Sequence, residues 1–447
     1  MKTLRAAWLA VLATCPASMA SATNLDLGTF YRMRALSYSN LNLGDPRNNH
    51  SFISQNAELS AFVRDIHVPL GDFPEQTLDV GLALRAVGIA GSTTAVQAPF
   101  DRAAANYPNA QFIPFIESAY VKLKQMFGKP IEATFGQQPF ALGSGLLLSD
   151  DGAGMAGVSV LGGLPFWGMK AGSFIFQPRN QQGSPNSLMV YGASLELPTE
   201  GVWQLNYMME KDQSAQTSGG GLPITDATRR FMSLRYQMSW GPFIFDGEGA
   251  IERGYGDPAP SLLNPQNSRV HFNGNAEVFK AKWRQPISNK WGEGIGRAVF
   301  ARGSGNKGGP NPTDGAFLPS HGHRFDGLER GGFGDFFGAT PYDALGTQPT
   351  ANGLPAGVSG IQTVGLGFTP PAYHGVALDL DYFLFQADQN NFGPDRTLGN
   401  EYDGHLRYGY RDRFQILAGI ALFKSGKAIN QSRPSAHRYT FEVLGRF

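Results

Sequence analysis

Asp150-Asp151 and His321-Gly-His323 with Asp326 are the positions where this chain has the residue types for chemistry. A carboxylate held against a histidine would serve as a general base toward a surface substrate. Two histidines at i, i+2 with an aspartate nearby would offer donors to a metal ion. The surroundings complete neither arrangement. No further ligand cluster accompanies the histidines, and no spacing brings them to Asp150. Gly292-x-Gly294-x-Gly296 lies within an alternating stretch rather than between a strand and a helix, and Gly303 to Gly309 lacks the Gly-Lys-Ser/Thr ending of a phosphate-binding loop. The expectation is a protein that is not an enzyme and that needs no cofactor and no metal.

The elements around these positions say more. In the final stretch, Ala436 to Phe447, the residues Tyr439, Phe441, Val443 and Phe447 fall on one side at period two, while Arg438, Thr440, Glu442 and Arg446 fall on the other. Such a pattern is a strand with one apolar and one polar face. The same pattern recurs along the chain. Leu25, Leu27, Tyr31 and Met33 oppose Asp26, Arg32 and Arg34; Leu78, Val80, Leu82 and Leu84 oppose Asp79 and Arg85; Val376, Leu378 and Leu380 oppose Asp379 and Asp381. Trp167, Met169 and Ala171 are assigned to one strand opposing Lys170. Between His271 and Gln285 the phase changes near Val278–Phe279, which predicts a β-bulge that leaves Glu277 and Lys280 on one face. The facing of the strands near 155–162, 291–303 and 361–368 stays open.

About eighteen strands result, an even number. Short connections such as Pro198-Thr-Glu-Gly201 and Trp240-Gly-Pro242 alternate with long ones, the longest running from about 304 to 357. No apolar run is long enough for a spanning helix. The fold class expected is all-β: a transmembrane antiparallel barrel with short periplasmic turns and long extracellular loops. In lipid every backbone group needs a partner, so such a sheet closes on itself.

Met1 to Ala22 has the basic start, short apolar core and small-x-small ending of a signal peptide, which would leave residues 23–447 as the barrel. Leu12-Ala-Thr-Cys15 fits a lipoprotein site poorly. Cys15 is the only cysteine, so a mature chain would hold no disulfide framework. The net charge of +1 gives no reason to expect nucleic acid as a partner. The expected setting is the bacterial outer membrane, crossed many times. The expected partners are outer-membrane lipid, the barrel-assembly machinery that reads Phe447, and a hydrophilic solute; a monomer is expected.

With the apolar set facing lipid, the charged set faces inward. The predicted pore lining is Arg32, Arg34, Arg64, Arg85, Lys122, Lys124, Arg235, Asp246, Glu248, Glu252, Lys280, Lys282, Arg284, Asp379, Asp381, Glu401, Asp403, Arg407 and Arg438. Bases dominate the first four strands and acids the eleventh, fifteenth and sixteenth, which predicts a field across the lumen with a basic wall on one side. The long loop, rich in glycine and aromatic residues, is expected to fold inward as a constriction that includes His321, His323, Arg324 and Asp326.

Several patches resemble the alginate-export family of outer-membrane proteins. They are Arg297 to Asn306, Phe317-Leu-Pro-Ser-His-Gly-His323, Glu117-Ser-Ala-Tyr-Val121 with Phe135-Gly-Gln-Gln138, and Gly399-Asn-Glu-Tyr-Asp-Gly404 leading to Leu417–Phe423. The resemblance implies an eighteen-stranded channel that passes anionic polysaccharide along basic lumen residues. Here acids and bases are balanced, and Asn306 stands where an aspartate would be expected. A passive channel for hydrophilic, anionic solutes is therefore the primary expectation. The alternatives are a plugged surface barrel acting as adhesin or receptor, and an outer-membrane hydrolase.

Overall fold

The computed structural model of the chain describes residues 24–40, 49–68, 73, 75–91, 113–150, 152, 154–178, 188–213, 216–217, 223–258, 269–288, 292–308, 312–320, 332–338, 357–391, 393–411, 413–429 and 434–447. The expected leader, residues 1–22, lies outside the described residues.

Eighteen long strands follow one another in chain order. They are β1 Asn24–Ser39, β2 His50–His67, β3 Thr77–Gly91, β4 Ile113–Lys124, β5 Ile131–Gln138 and β6 Met155–Gly163. Next come β7 Lys170–Phe176, β8 Leu188–Pro198, β9 Val202–Asp212, β10 Pro223–Trp240, β11 Phe243–Pro258 and β12 Asn275–Ser288. The last six are β13 Gly292–Gly303, β14 Val358–Thr369, β15 Val376–Asn390, β16 Thr397–Tyr410, β17 Phe414–Ser425 and β18 Ala436–Arg446. Each pairs antiparallel with its sequence neighbours, and β1 pairs with β18 from Phe30↔Arg446 to Ser39↔His437. Thr29 and Phe447 exchange both backbone hydrogen bonds at 2.9 Å beyond the end of that ladder. The sheet is therefore a closed barrel with no free edge, which is what a β-structure needs in lipid.

The period-two pattern sets the facing. Leu25, Leu27, Leu59, Leu82, Leu205, Leu234, Leu366, Leu380, Leu406 and Phe441 point outward and stay exposed, forming an apolar belt. Near the short turns the belt is edged by rings: Trp203 on Tyr236, Trp240 on Phe243, and Phe243 on Trp283. These amphipathic aromatics suit the membrane–water boundary.

The open facings are settled. Ile361, Thr363 and Thr369 face inward on β14, with Val364, Leu366 and Phe368 outward; Arg297 and Ala301 face inward on β13; Met155 is fully buried at the head of β6. Two expectations are corrected. Trp167 and Met169 lie in the turn before β7. No bulge occurs near Val278–Phe279, because β12 pairs with β11 and β13 in unbroken register there. Val278 packs inward against a loop, so Glu277 and Phe279 point outward while Lys280 and Lys282 face the lumen.

Candidate pore constriction

A closed sheet of eighteen strands is too wide for its own side chains to fill. Two in-folded loop segments narrow this one, on different walls.

The loop between β5 and β6 turns inward as a small hairpin, Ala141–Leu142 pairing with Leu148–Ser149. Leu142, Leu146, Leu147 and Leu148 pack on Phe174, Phe176, Val190, Met208 and Phe231 of the inner wall. The polar tip is held by two wall residues. Ser144 N–H donates to Glu248 at 2.7 Å, and Arg235 donates to the Gly143 carbonyl at 2.8 Å. Gly143 sits at φ 65° against the Glu248 carboxylate, where any Cβ would collide. At the loop's far end Arg85 donates to the Gly152 carbonyl at 3.0 Å.

The long loop begins on the same wall. Phe317 joins the leucine cluster. Leu318 N–H donates to Glu252 at 2.9 Å, and the Ser320 hydroxyl donates to Glu210. Both carboxylates converge on Arg229, whose Nε donates to Glu210 at 2.9 Å and whose Nη1 reaches Glu252 at 3.3 Å. None of the three side chains is more than 1% exposed.

A second piece, residues 332–338, docks against β14–β18 and the first two strands. Its rings continue a stack that crosses the wall: Phe385 on Phe337 at 4.3 Å, Phe337 on Phe423 at 5.3 Å, Phe423 on Phe336 at 5.6 Å, then Tyr38 and Phe52. Below the rings, β16 carboxylates accept backbone donors of the turn. Glu401 takes Phe336 N–H at 2.5 Å and Phe337 N–H at 3.0 Å; Asp403 takes Asp335 N–H at 3.0 Å. The Asp335 side chain meets His405 Nε2 at 2.7 Å, and Arg438 donates to its backbone carbonyl. Burial alone would raise the Asp335 carboxyl. The His405 hydrogen bond and the charges of Arg438, His405 and Arg34 outweigh burial and hold it below the usual carboxylate range.

Elsewhere the wall is a lattice of ion pairs, most of them toward the short turns. Arg407 meets Asp379 at 2.6 Å; Arg297 meets Asp381 at 3.1 Å and Asp379 at 3.5 Å. Arg34 pairs with Glu442 at 2.6 Å, Arg64 with Asp26 at 3.0 Å, Lys122 with Glu132 at 2.9 Å, and Lys124 with Asp79 at 2.6 Å and Asp65 at 3.2 Å. Arg235 grips Asp246 with two nitrogens, at 2.7 and 2.8 Å.

The nineteen residues expected to line the pore stand in several different situations. Glu248, Glu252, Glu401, Asp403, Arg438 and Arg85 are tied to loop segments. Arg34, Arg64, Lys122, Lys124, Arg235, Asp246, Asp379, Asp381 and Arg407 are paired wall to wall. Arg32, Lys280, Lys282 and Arg284 have no side-chain hydrogen bond or ion pair among the described residues. Lys280 lies beside Asp246, already held by Arg235, and its ammonium stands 6.0 Å from the Phe333 ring. His321, His323, Arg324 and Asp326 lie outside the described residues. Asp150 folds into its own loop, accepting Gly154 N–H at 3.0 Å; Asp151 is also outside. No cluster of three metal-ligating side chains occurs among the described residues.

Sequence reasoning missed Arg229, Arg297 and Asp335. Arg229 continues the inward series Arg235, Ser233, Phe231, but inward Phe231 breaks the polar pattern and hides it. Asp335 lies in Gly334-Asp-Phe-Phe-Gly338, whose flanking glycines signal a tight turn.

No known family model matches the chain, and no curated protein matches it in sequence. Solved structures match over nearly the whole length. OccAB1 of Acinetobacter baumannii is 8% identical with a TM-score of 0.58, covering 95% of this chain and 96% of that one. OccK8 (OprE) of Pseudomonas aeruginosa is 12% identical with a TM-score of 0.57, covering 95% and 98%. The outer membrane protein opdK of Pseudomonas aeruginosa is 12% identical with a TM-score of 0.50, covering 94% and 99%. The likeness is one of fold. A closed eighteen-stranded barrel with an apolar outer belt is a multi-pass architecture of the bacterial outer membrane.

Proposed function

We propose that this protein is a passive outer-membrane channel for small hydrophilic solutes, with a preference for anions. The observation behind this reading is an imbalance that net charge conceals. Most inner-wall acids are spent on arginine or lysine partners or on loop amides, Glu58 and Glu196 being without such a partner among the described residues, whereas Lys280, Lys282 and Arg284 project at every second position of one strand without an ion-pair partner among the described residues. Arg32 adds a fourth such charge on β1. Unpaired cations over a wet lumen raise the local concentration of anions. This reading revises the expected basic wall: it moves from the first four strands, whose bases are largely paired, to β12.

The bulk of the lumen-facing loops favours small carboxylates over polymer as cargo. An oligouronate of the alginate type is the larger member of the same chemical class. The test is single-channel conductance of the refolded protein in a planar bilayer under a salt gradient. The expected reversal potential is that of an anion-preferring pore, with small carboxylates as blockers. A folded barrel that passes no current would overturn the reading and return the plugged-barrel adhesin and the hydrolase.

A further inference from the structure

We infer that Glu401 and Asp403 are positioning residues that fix the aperture of the channel by clamping residues 333–338, and that they take no direct part in choosing ions. The inference rests on the channel reading and adds what sets its size limit.

By sequence these two acids are expected among the pore-lining residues. Their surroundings give them another task. Glu401 is fully buried and Asp403 nearly so. Their described partners are each other and three successive backbone N–H groups, those of Asp335, Phe336 and Phe337. Successive amides in a tight turn form a concave anion site, and here wall carboxylates fill it. The fit depends on Gly334. It has φ 80°, and a Cβ there would lie 2.5 Å from Glu401 Oε2 and 2.9 Å from the Phe385 ring. Only a residue without a side chain lets the turn settle that far onto the wall.

What the clamp holds in place faces the lumen. Phe336 and Phe337 sit in the ring stack, while Phe333 is only partly covered and meets Lys280 of β12. Beside Lys280 the clamped segment therefore reaches the lumen as well as the sheet. Loss of the clamp widens the passage without altering Lys280, Lys282 or Arg284. Backbone N–H groups in a buried turn are costly to leave without an acceptor, so weakening these bonds loosens the segment, which the ring stack and the Asp335 contacts still touch.

The experiment compares wild type, Glu401→Gln with Asp403→Asn, and Gly334→Ala, each first shown to be a folded barrel by heat-modifiable migration. Gly334→Ala changes no charge. The readouts are single-channel conductance, swelling of proteoliposomes in sugars of graded size, and reversal potential. The expected result is that both variants shift conductance and size limit upward and leave the reversal potential where it was. An unchanged size limit in both folded variants would overturn the inference. So would a shift of reversal potential in the double variant without a change in conductance, because the acids would then be selecting ions directly. If the double variant does not fold, Gly334→Ala and Glu401→Gln alone decide. If wild type passes no current, the channel reading fails. The clamp is then read from maleimide labelling of Phe336→Cys, expected to be slow in wild type and fast beside Gly334→Ala; equal rates would overturn it.

Discussion

Arg229 and Glu210 meet between β10 and β9 with their side chains essentially closed to water, at 1% and 0% exposure. Glu252 from β11 completes the site, and the long loop caps it through Leu318 and Ser320. Removing one partner from such a group leaves buried charge uncompensated. Arg229→Ala should therefore lower stability by about 3–5 kcal/mol. Urea unfolding followed by tryptophan fluorescence would show it. Arg64→Ala, which breaks a half-exposed pair with Asp26, should cost about 1 kcal/mol or less. Equal losses would mean that burial does not govern these pairs.

The charge that chooses ions should sit on β12. Lys282→Glu with Arg284→Glu should move the reversal potential toward cations. Arg64→Glu, near the same mouth but facing Asp26, should move it less. The opposite ranking would restore the basic wall to the first four strands.

The inward hairpin before β6 depends on Glu248 and Gly143. Glu248→Gln weakens its bond to Ser144 N–H, and Gly143→Ala places a methyl group where the carboxylate sits. Both should increase current fluctuations while leaving the barrel's resistance to heat nearly unchanged, because the leucine cluster stays intact. Quiet traces from both would show that the tip needs neither anchor.

A pH dependence follows from Asp335. Its carboxyl is held low in the folded protein. A group shifted downward contributes stability above its unfolded value, roughly pH 3.9, and loses that contribution as pH falls through the lowered one. Residues 333–338 should thus stay docked from neutral pH down to about that value and detach only below it. Labelling of Phe336→Cys, normalised to an exposed control such as Thr199→Cys, measures this. His405→Ala removes the strongest influence that lowers Asp335 and should move detachment to higher pH.

Strand number and facing were legible because lipid enforces period two on the outer surface. Leu25 and Leu27, or Leu378 and Leu380, have no other place to go. The rule weakens where the inner face is also dry. Leu36, Tyr38, Phe52, Phe385 and Phe423 point inward yet are apolar, because residues 332–338 cover them. Val278 misled for the same reason: it faces a loop, and its apolar character suggested a bulge that β12 does not have. Glu401, Asp403 and Glu248 were expected to line the pore, and each accepts a backbone N–H of a loop segment. Alternation reports the side of a sheet on which a residue lies. It carries no information about a loop arriving from far along the chain.

Deleting Phe447 removes the two backbone hydrogen bonds that it exchanges with Thr29. Insertion into the outer membrane should fall, as read by the heat-modifiable fraction; normal insertion would show that assembly does not read this residue.

The seam between β1 and β18 joins the most distant parts of the sequence; Arg34 and Glu442 are 408 positions apart. Contacts of that separation form late, since the loop they close is nearly the whole chain. A sheet with that seam open has two unpaired edges, each a template for another chain. The ion pair at the seam thus stands at the point where the protein passes from sticky to inert, and the interval before it forms is when the chain most needs an escort.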